Sequence, residues 1–229
     1  GNYDITYVNG TLIVYGTELY VNDNTWSSGD LTGEAGDDGN PGTQAYPLRT
    51  ITKAIEVAID NDAIIVDKGT FEEQVLIQKS VTLTGQGIGQ TVVKAPSSGR
   101  NCYPGHTDIG TNWTSDYLLA AYPTDWNGNT GTGTLMKVKV TGFTFDANNT
   151  NHTCGRYTGV FFGCVSGADY TEAGLFNSSV VNFNTGDPSA TGVRILGASK
   201  LAVKDCDNIE YTINVIAAYV DMATGSADP

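Results

Sequence analysis

The residues best suited to chemistry lie in one stretch, 97–134. Five aromatic residues, Tyr103, Trp113, Tyr117, Tyr122 and Trp126, are interleaved there with Asp108, Asp116 and Asp125. Flat rings stack on the faces of sugar rings, and carboxylates accept hydrogen bonds from sugar hydroxyls, so Tyr103, Trp113, Tyr117 and Trp126 are the candidate glycan-binding residues. The alternative is a satellite core that pins the stretch to the rest of the fold. A second cluster runs from Asp23 to Asn40. It has five acids, Asp23, Asp30, Glu34, Asp37 and Asp38, and no base. Calcium takes six to eight hard oxygen ligands, which makes Asp30, Asp37, Asp38 and Asn40 a candidate Ca²⁺ set. The spacing is not that of an EF-hand, and Asp and Asn also form ordinary turns. No other cofactor is implied.

Four cysteines, Cys102, Cys154, Cys164 and Cys206, lack the close pairing of a zinc site. Cys102 and Cys154 fall in loop-like text and would form a disulfide in an oxidising compartment. Cys164 and Cys206 fall in strand-like text and suit buried thiols. His106 and His152 have no Ser or Cys at triad spacing.

The elements that must hold these residues are short strands. From Thr50 to Ile59 the apolar residues Ile51, Ala54, Ile55, Ala58 and Ile59 recur at steps of three and four, which predicts one amphipathic helix within 47–60. After it come AIIV, QVLI, SVTLTG and TVV, β-branched runs separated by Gly, Lys or Asp. One helix followed only by short strands predicts an all-β chain that coils and stacks each turn on the last. The helix would cover the open mouth of the first turn, with Ile51, Ile55, Ala58 and Ile59 inward and Lys53 and Glu56 outward. Spacings from Phe143–Phe145 to Val181–Phe183 and from Val181 to Val203 suggest a repeat of about 20–25 residues. Asn148, Asn184 and Asn208 sit where stacked turns would form an amide ladder.

The run DDGNPGTQAYPLRTITKAIEVA, followed by AIIVDKGTFEEQVLIQKSVTLTGQG, resembles the N-terminal end of right-handed parallel β-helix proteins of the pectin-lyase-like and pectin-methylesterase-like group. That resemblance implies a right-handed solenoid over 17–229 with an N-terminal capping helix and an insertion at 97–134. It leaves function open, because the opening is shared by lyases, esterases, epimerases, adhesins and binding modules. Esterases of the group use two Asp, an Arg and Gln donors. Asp146 aligns with one Asp, but the Gln and the later Asp and Arg strands are absent. Lyases use Ca²⁺ with an Arg or Lys base, for which Arg156 and Arg194 stand as candidates. A glycosidase pair would have to come from Asp187, Asp205 and Asp207.

Residues 1–16 alternate around Asn9-Gly10, a hairpin signal. NYDITYVNGTLIV resembles the closing strands of bacterial Ig-like adhesin repeats, so this hairpin is either the end of an upstream module or docked on the coil. Strand-like text before GSADP suggests a domain that continues past Pro229.

Composition narrows the partners. The 28 Gly and 12 Tyr against 16% charged residues suit a turn-dense β protein. A net charge of −13 disfavours nucleic acid and repels anionic polysaccharide unless Ca²⁺ bridges the two. No apolar run is long enough to span a bilayer. Five sequons, at Asn9, Asn112, Asn148, Asn151 and Asn177, are weak signals in an Asn- and Thr-rich chain. The expectation is a non-catalytic extracellular or cell-surface β-helix module, structural, adhesive or glycan-binding. The alternatives are a polysaccharide-active enzyme of the same fold and a fibre subunit that self-associates through its hairpin.

Overall fold

A computed structural model describes residues 5–8, 11–14, 18–104, 114–127, 131–149, 154, 156–183, 190–197, 200–210, 213–216 and 220–221. Three parallel sheets carry the chain from Glu18 onward. The first contains Glu18–Val21, Ala63–Val66, Val81–Thr84, Val138–Thr141, Gly174–Phe176, Leu201–Lys204 and Val220–Asp221. The second contains Gly69–Glu72, Thr91–Lys94, Thr144–Asp146 and Ser179–Val181. The third contains Val75–Ile77, Thr114–Ala121, Arg156–Gly163, Ala190–Leu196 and Ile213–Ile216. From Ala63 the chain visits first, second and third sheet in turn, then the first again. Each strand pairs with its counterparts in the preceding and following turns, the arrangement of a parallel β-helix.

Strand alternation builds the interior. In AIIV, VTLT, TVVK and VKVT every second side chain is buried and its neighbours are half-exposed. Registers then stack the buried residues. Leu19, Ile64, Leu83, Val140, Leu175 and Val203 form one continuous column, each no more than 2% exposed. Phe71, Val93, Phe145 and Val180 form another in the second sheet, and Val75, Leu119, Val160 and Val193 a third. Burying each such side chain contributes about 1.5–3 kcal/mol, set against the entropy of ordering the chain.

Corners require left-handed backbone. Gly142, Asn177 and Asp205 each follow a first-sheet strand at φ 81, 43 and 54°, so three successive turns bend at the same place. The amide of Gly142 donates to Phe176 O, and that of Asn177 to Lys204 O. Asn and Asp tolerate this region because their short polar side chains bond locally. The expected amide ladder does not form among the described residues. Asn148 leaves the second sheet and donates its amide to Ala95 O, whereas Asn208 precedes the second-sheet level marked by the Val180–Ile209 bridge. Asn184 lies outside the described residues.

The repeat is also less regular than expected. Ile65 lies 19 residues from its partner Thr84, Thr84 lies 57 from Thr141, Thr141 lies 35 from Phe176, and Phe176 lies 28 from Lys204. Val181 and Val203 are not equivalent, because one belongs to the second sheet and the other to the first.

The helix spans Ile51–Val57, shorter than the 47–60 expected. Thr50 caps it by accepting from Lys53 N, and Glu73 accepts from the amides of Ile51 and Thr52. Ala58 turns extended (ψ 154°), and Lys79 Nζ donates to the carbonyls of Glu56 and Ala58. Ile51, Ala54, Ile55 and Ala58 are buried, and the helix packs against 18–21, 63–66 and 75–77. Ile59 does not face the coil as expected. It lies beyond the last helical turn at 40% exposure, and its amide donates to Asp62.

Edge cover is shared with the preceding loop. Tyr20 N donates to Gly42 O, Leu48 N to Tyr20 O and Asn22 N to Leu48 O, so the outer side of strand 18–21 is closed. Separately, Ile5–Val8 and Thr11–Val14 form a two-stranded antiparallel sheet. No described helix is long and apolar enough to cross a membrane.

Candidate functional site

The stretch 97–134 is not a plain loop. Thr114–Ala121 is a third-sheet strand whose register joins Leu119 to Val75 and to Val160. Its outward side chains meet a small second core. Tyr117 stacks on Phe161 at 5.0 Å and 20°, while Tyr122 and Trp126 approach the same ring at 6.2 and 5.8 Å. Tyr117 is 1% exposed, so it presents no face to a sugar and acts as packing. Trp126 is half-buried at the rim of this cluster. Tyr103 pairs through its backbone with Ser115, and Trp113 lies outside the described residues. Of the four candidate rings, the structure brings Tyr117 and Trp126 together, as a core rather than a platform.

A polar clasp fastens this stretch. Cys102 and Cys154 are joined by a disulfide. Gln74 donates its amide to Asp116 Oδ1 and to the carbonyls of Tyr117 and Asn101, and its Oε1 accepts from Asn101 N. Arg100 meets Asp116 with both side chains buried, and its guanidinium lies 4.9 Å from the Tyr157 ring centroid. Asp116 is therefore withdrawn from solvent and cannot greet a sugar hydroxyl. Asp125 is exposed, and hydrogen bonds from the Thr134 hydroxyl and amide hold its carboxyl below the usual range.

The acidic N-terminal loop folds its carboxylates onto its own backbone. Asp30 accepts from Ser27 N and Oγ and faces Lys68 Nζ at 3.6 Å. Asp37 accepts from Gly39 N, and Asp38 from the amides of Arg49 and Thr50. Asn40 donates to Glu34 Oε1 and Pro47 O. Among the described residues no three His, Cys, Asp or Glu side chains gather to hold a metal ion. These carboxylates instead serve as local turn acceptors, each bonded to nearby backbone or side-chain donors.

That same loop exposes apolar side chains, two of them aromatic, that sequence reasoning missed. Trp26, Leu31 and Tyr46 are 52, 42 and 53% exposed. Trp26 is fixed by its indole N–H, which donates to Thr32 O at 3.0 Å. Thr32 in turn donates its amide and hydroxyl to the buried Asp67, and Asn22 donates its amide to Thr32 Oγ1. Segments 31–33 and 44–46 lie side by side, because Gly33 N donates to Gln44 O and the Gln44 amide to Leu31 O. The loop is anchored through Thr32, Asn22 and Asp67, and its rings face outward.

The remaining catalytic candidates stay apart. Asp146 ends a second-sheet strand and accepts from Asn148 N and the Asn182 amide. Asp205 and Asp207 flank Cys206, whose thiol burial pushes up, ahead of the second-sheet level. Arg194 is 1% exposed and in register with Phe161. Arg156 is described by its backbone, in the third sheet, and His106, His152 and Asp187 lie outside the described residues. Cys164 and Cys206 are free and buried.

Comparison with known proteins supports the fold. No curated protein sequence matches the chain. Among solved structures, the chain resembles the GH136 lacto-N-biosidase from Eubacterium ramulus, with a TM-score of 0.50 and 14% identity over 83% of this chain. The chain spans about a third (34%) of the length of that enzyme, and the likeness is one of fold. The model of a family described as "Protein of unknown function (DUF1565)" matches residues 34–168. That match covers more than half of the sequence and includes the helix, the first turns of the coil and the clasped stretch, so the chain belongs to the DUF1565 family.

Proposed function

We propose that the protein is a glycan-binding parallel β-helix module of a secreted or cell-surface protein, right-handed and of the pectin-lyase-like type. The observation that carries this reading is the outward presentation of Trp26 and Tyr46, each more than half exposed, from a loop anchored on the first turn. A ring already held in place stacks on a sugar at small entropic cost. Of the two candidate rings described in the 97–134 stretch, Tyr117 is buried and Trp126, at the rim of the third-sheet cluster, still reaches solvent. The likeness to a lacto-N-biosidase supports a carbohydrate-related role without assigning a substrate.

Affinity electrophoresis through gels containing neutral and acidic polysaccharides tests the proposal. Retardation by a glycan, lost in Trp26→Ala and kept in a surface variant such as Lys200→Ala, is expected. Unretarded migration in every gel would end the glycan reading. The fold likeness to an enzyme also motivates a catalytic alternative, which reducing-end assays on the same panel address. Turnover abolished by changing Asp146 would favour it.

A further inference from the structure

Resting on the glycan reading, we infer that the Trp26–Tyr46 surface selects neutral saccharide chains and rejects uronate or sulfated ones. Between residues 18 and 46 the chain carries six acids, Glu18, Asp23, Asp30, Glu34, Asp37 and Asp38, and no Lys or Arg. Two cations reach the loop from outside it, and each is already set against an acid. Lys68 Nζ lies 3.6 Å from Asp30, and Arg49 lies 4.0 Å from Asp38. Among the described residues these two bases face six acids, so a bound carboxylate or sulfate would have to compete with Asp30 and Asp38 for them, while the surplus acids hold a negative potential over the exposed rings.

The loop's own hydrogen bonds keep that charge in place. Ser27's amide and hydroxyl, the Asn22 amide and Lys68 together outweigh the desolvation of Asp30, leaving its carboxyl below the usual range. It stays ionised through neutral and mildly acidic pH. An uncharged saccharide meets only acceptors suited to its hydroxyl protons, together with the ring faces. An anionic chain would need a bridging cation, and the described loop gathers no metal cluster.

The test uses the intact protein in gels of galactomannan, xyloglucan and polygalacturonate at low salt with chelator present. Retardation in at least one neutral gel, none in polygalacturonate, and loss of that retardation in Trp26→Ala is the expected pattern. The pair Glu34→Gln and Asp37→Asn should keep neutral retardation within about twofold, while weak polygalacturonate retardation appears. Retardation by polygalacturonate alone, removed by Trp26→Ala, would overturn the neutral selectivity and leave the glycan reading standing. No retardation in any gel would overturn both. Circular dichroism and thermal melting of each variant establish that the comparison is made between folded proteins.

Discussion

Arg100 Nε lies 3.3 Å from Asp116 Oδ2, with 2 and 0% of the two side chains exposed. The pair joins the start of the 97–134 stretch to its own strand. Removing one member of a buried pair costs about 3–5 kcal/mol, because the other charge keeps its desolvation penalty. Asp116→Ala, which also strips an acceptor from Gln74, should lower unfolding free energy by that order in urea titration. A change below about 1 kcal/mol would mean that the clasp is not structural.

The disulfide beside this pair closes 52 residues. Chain-entropy arguments assign such a loop about 4 kcal/mol, an upper expectation since engineered and native cases often deliver less. The double variant Cys102→Ser with Cys154→Ser should therefore lose about 2–4 kcal/mol, and wild type under reductant should match it. Equal urea midpoints with and without reductant would contradict this.

Tight stacking leaves no room for a side chain at Gly174. Gly174 has φ 125°, and a Cβ built there would land on the carbonyl oxygen of Ala202 in the next turn. Gly174→Ala should cost about 2–4 kcal/mol, combining backbone strain with overpacking. Gly89→Ala, at φ 75° with open space around it, should cost only about 1 kcal/mol. Thermal melts of the two variants would separate crowding from strain, and equal losses would refute the stacking argument.

Glu73 shifts in the direction opposite to Asp30, Asp125 and Asp169, whose carboxyls are held below the usual range. Burial raises its pKa above the ordinary 4.5, outweighing the bonds from the Thr52 hydroxyl and the Thr52 and Ile51 amides, with the Asp38 charge adding to the rise. The folded state thus binds this proton more tightly than the unfolded chain does. The contribution of Glu73 to stability is then greatest below 4.5 and declines as pH climbs toward the raised value. Glu73→Gln should remove that decline, read as a difference in slope of unfolding free energy against pH between variant and wild type. Superimposable slopes would show that the group titrates normally.

The sequence was legible where spacing alone decides the structure. Alternation in AIIV, VTLT and VKVT, and the three-four spacing of Ile51, Ala54 and Ile55, report directly which side chains are buried. The helix end was not legible, because Lys79 and Asp62, at 20 and 3 residues from Ile59, draw the chain out of the helix at Ala58. Turn lengths failed for a similar reason: Val181 and Val203 look alike in sequence and lie in different sheets. Strand 114–121 was hidden within aromatic text, since Tyr117 and Ala120 face a second core instead of water and erase the alternation. Exposure of aromatic residues was the hardest to read. Tyr117 is buried by Phe161 from 44 residues away, whereas Trp26 is held outward by a carbonyl six residues on.

The most direct test follows the three indole N–H resonances of the ¹⁵N-labelled protein as the glycan that retards it is added. The indole of Trp26, bonded to Thr32 O at the exposed loop, should shift progressively, and its signal is assigned by its absence in Trp26→Phe. Saturable movement of that resonance, with the other two lagging or still, is the predicted result. Movement confined to Trp113 or Trp126 while Trp26 stays fixed would contradict the account.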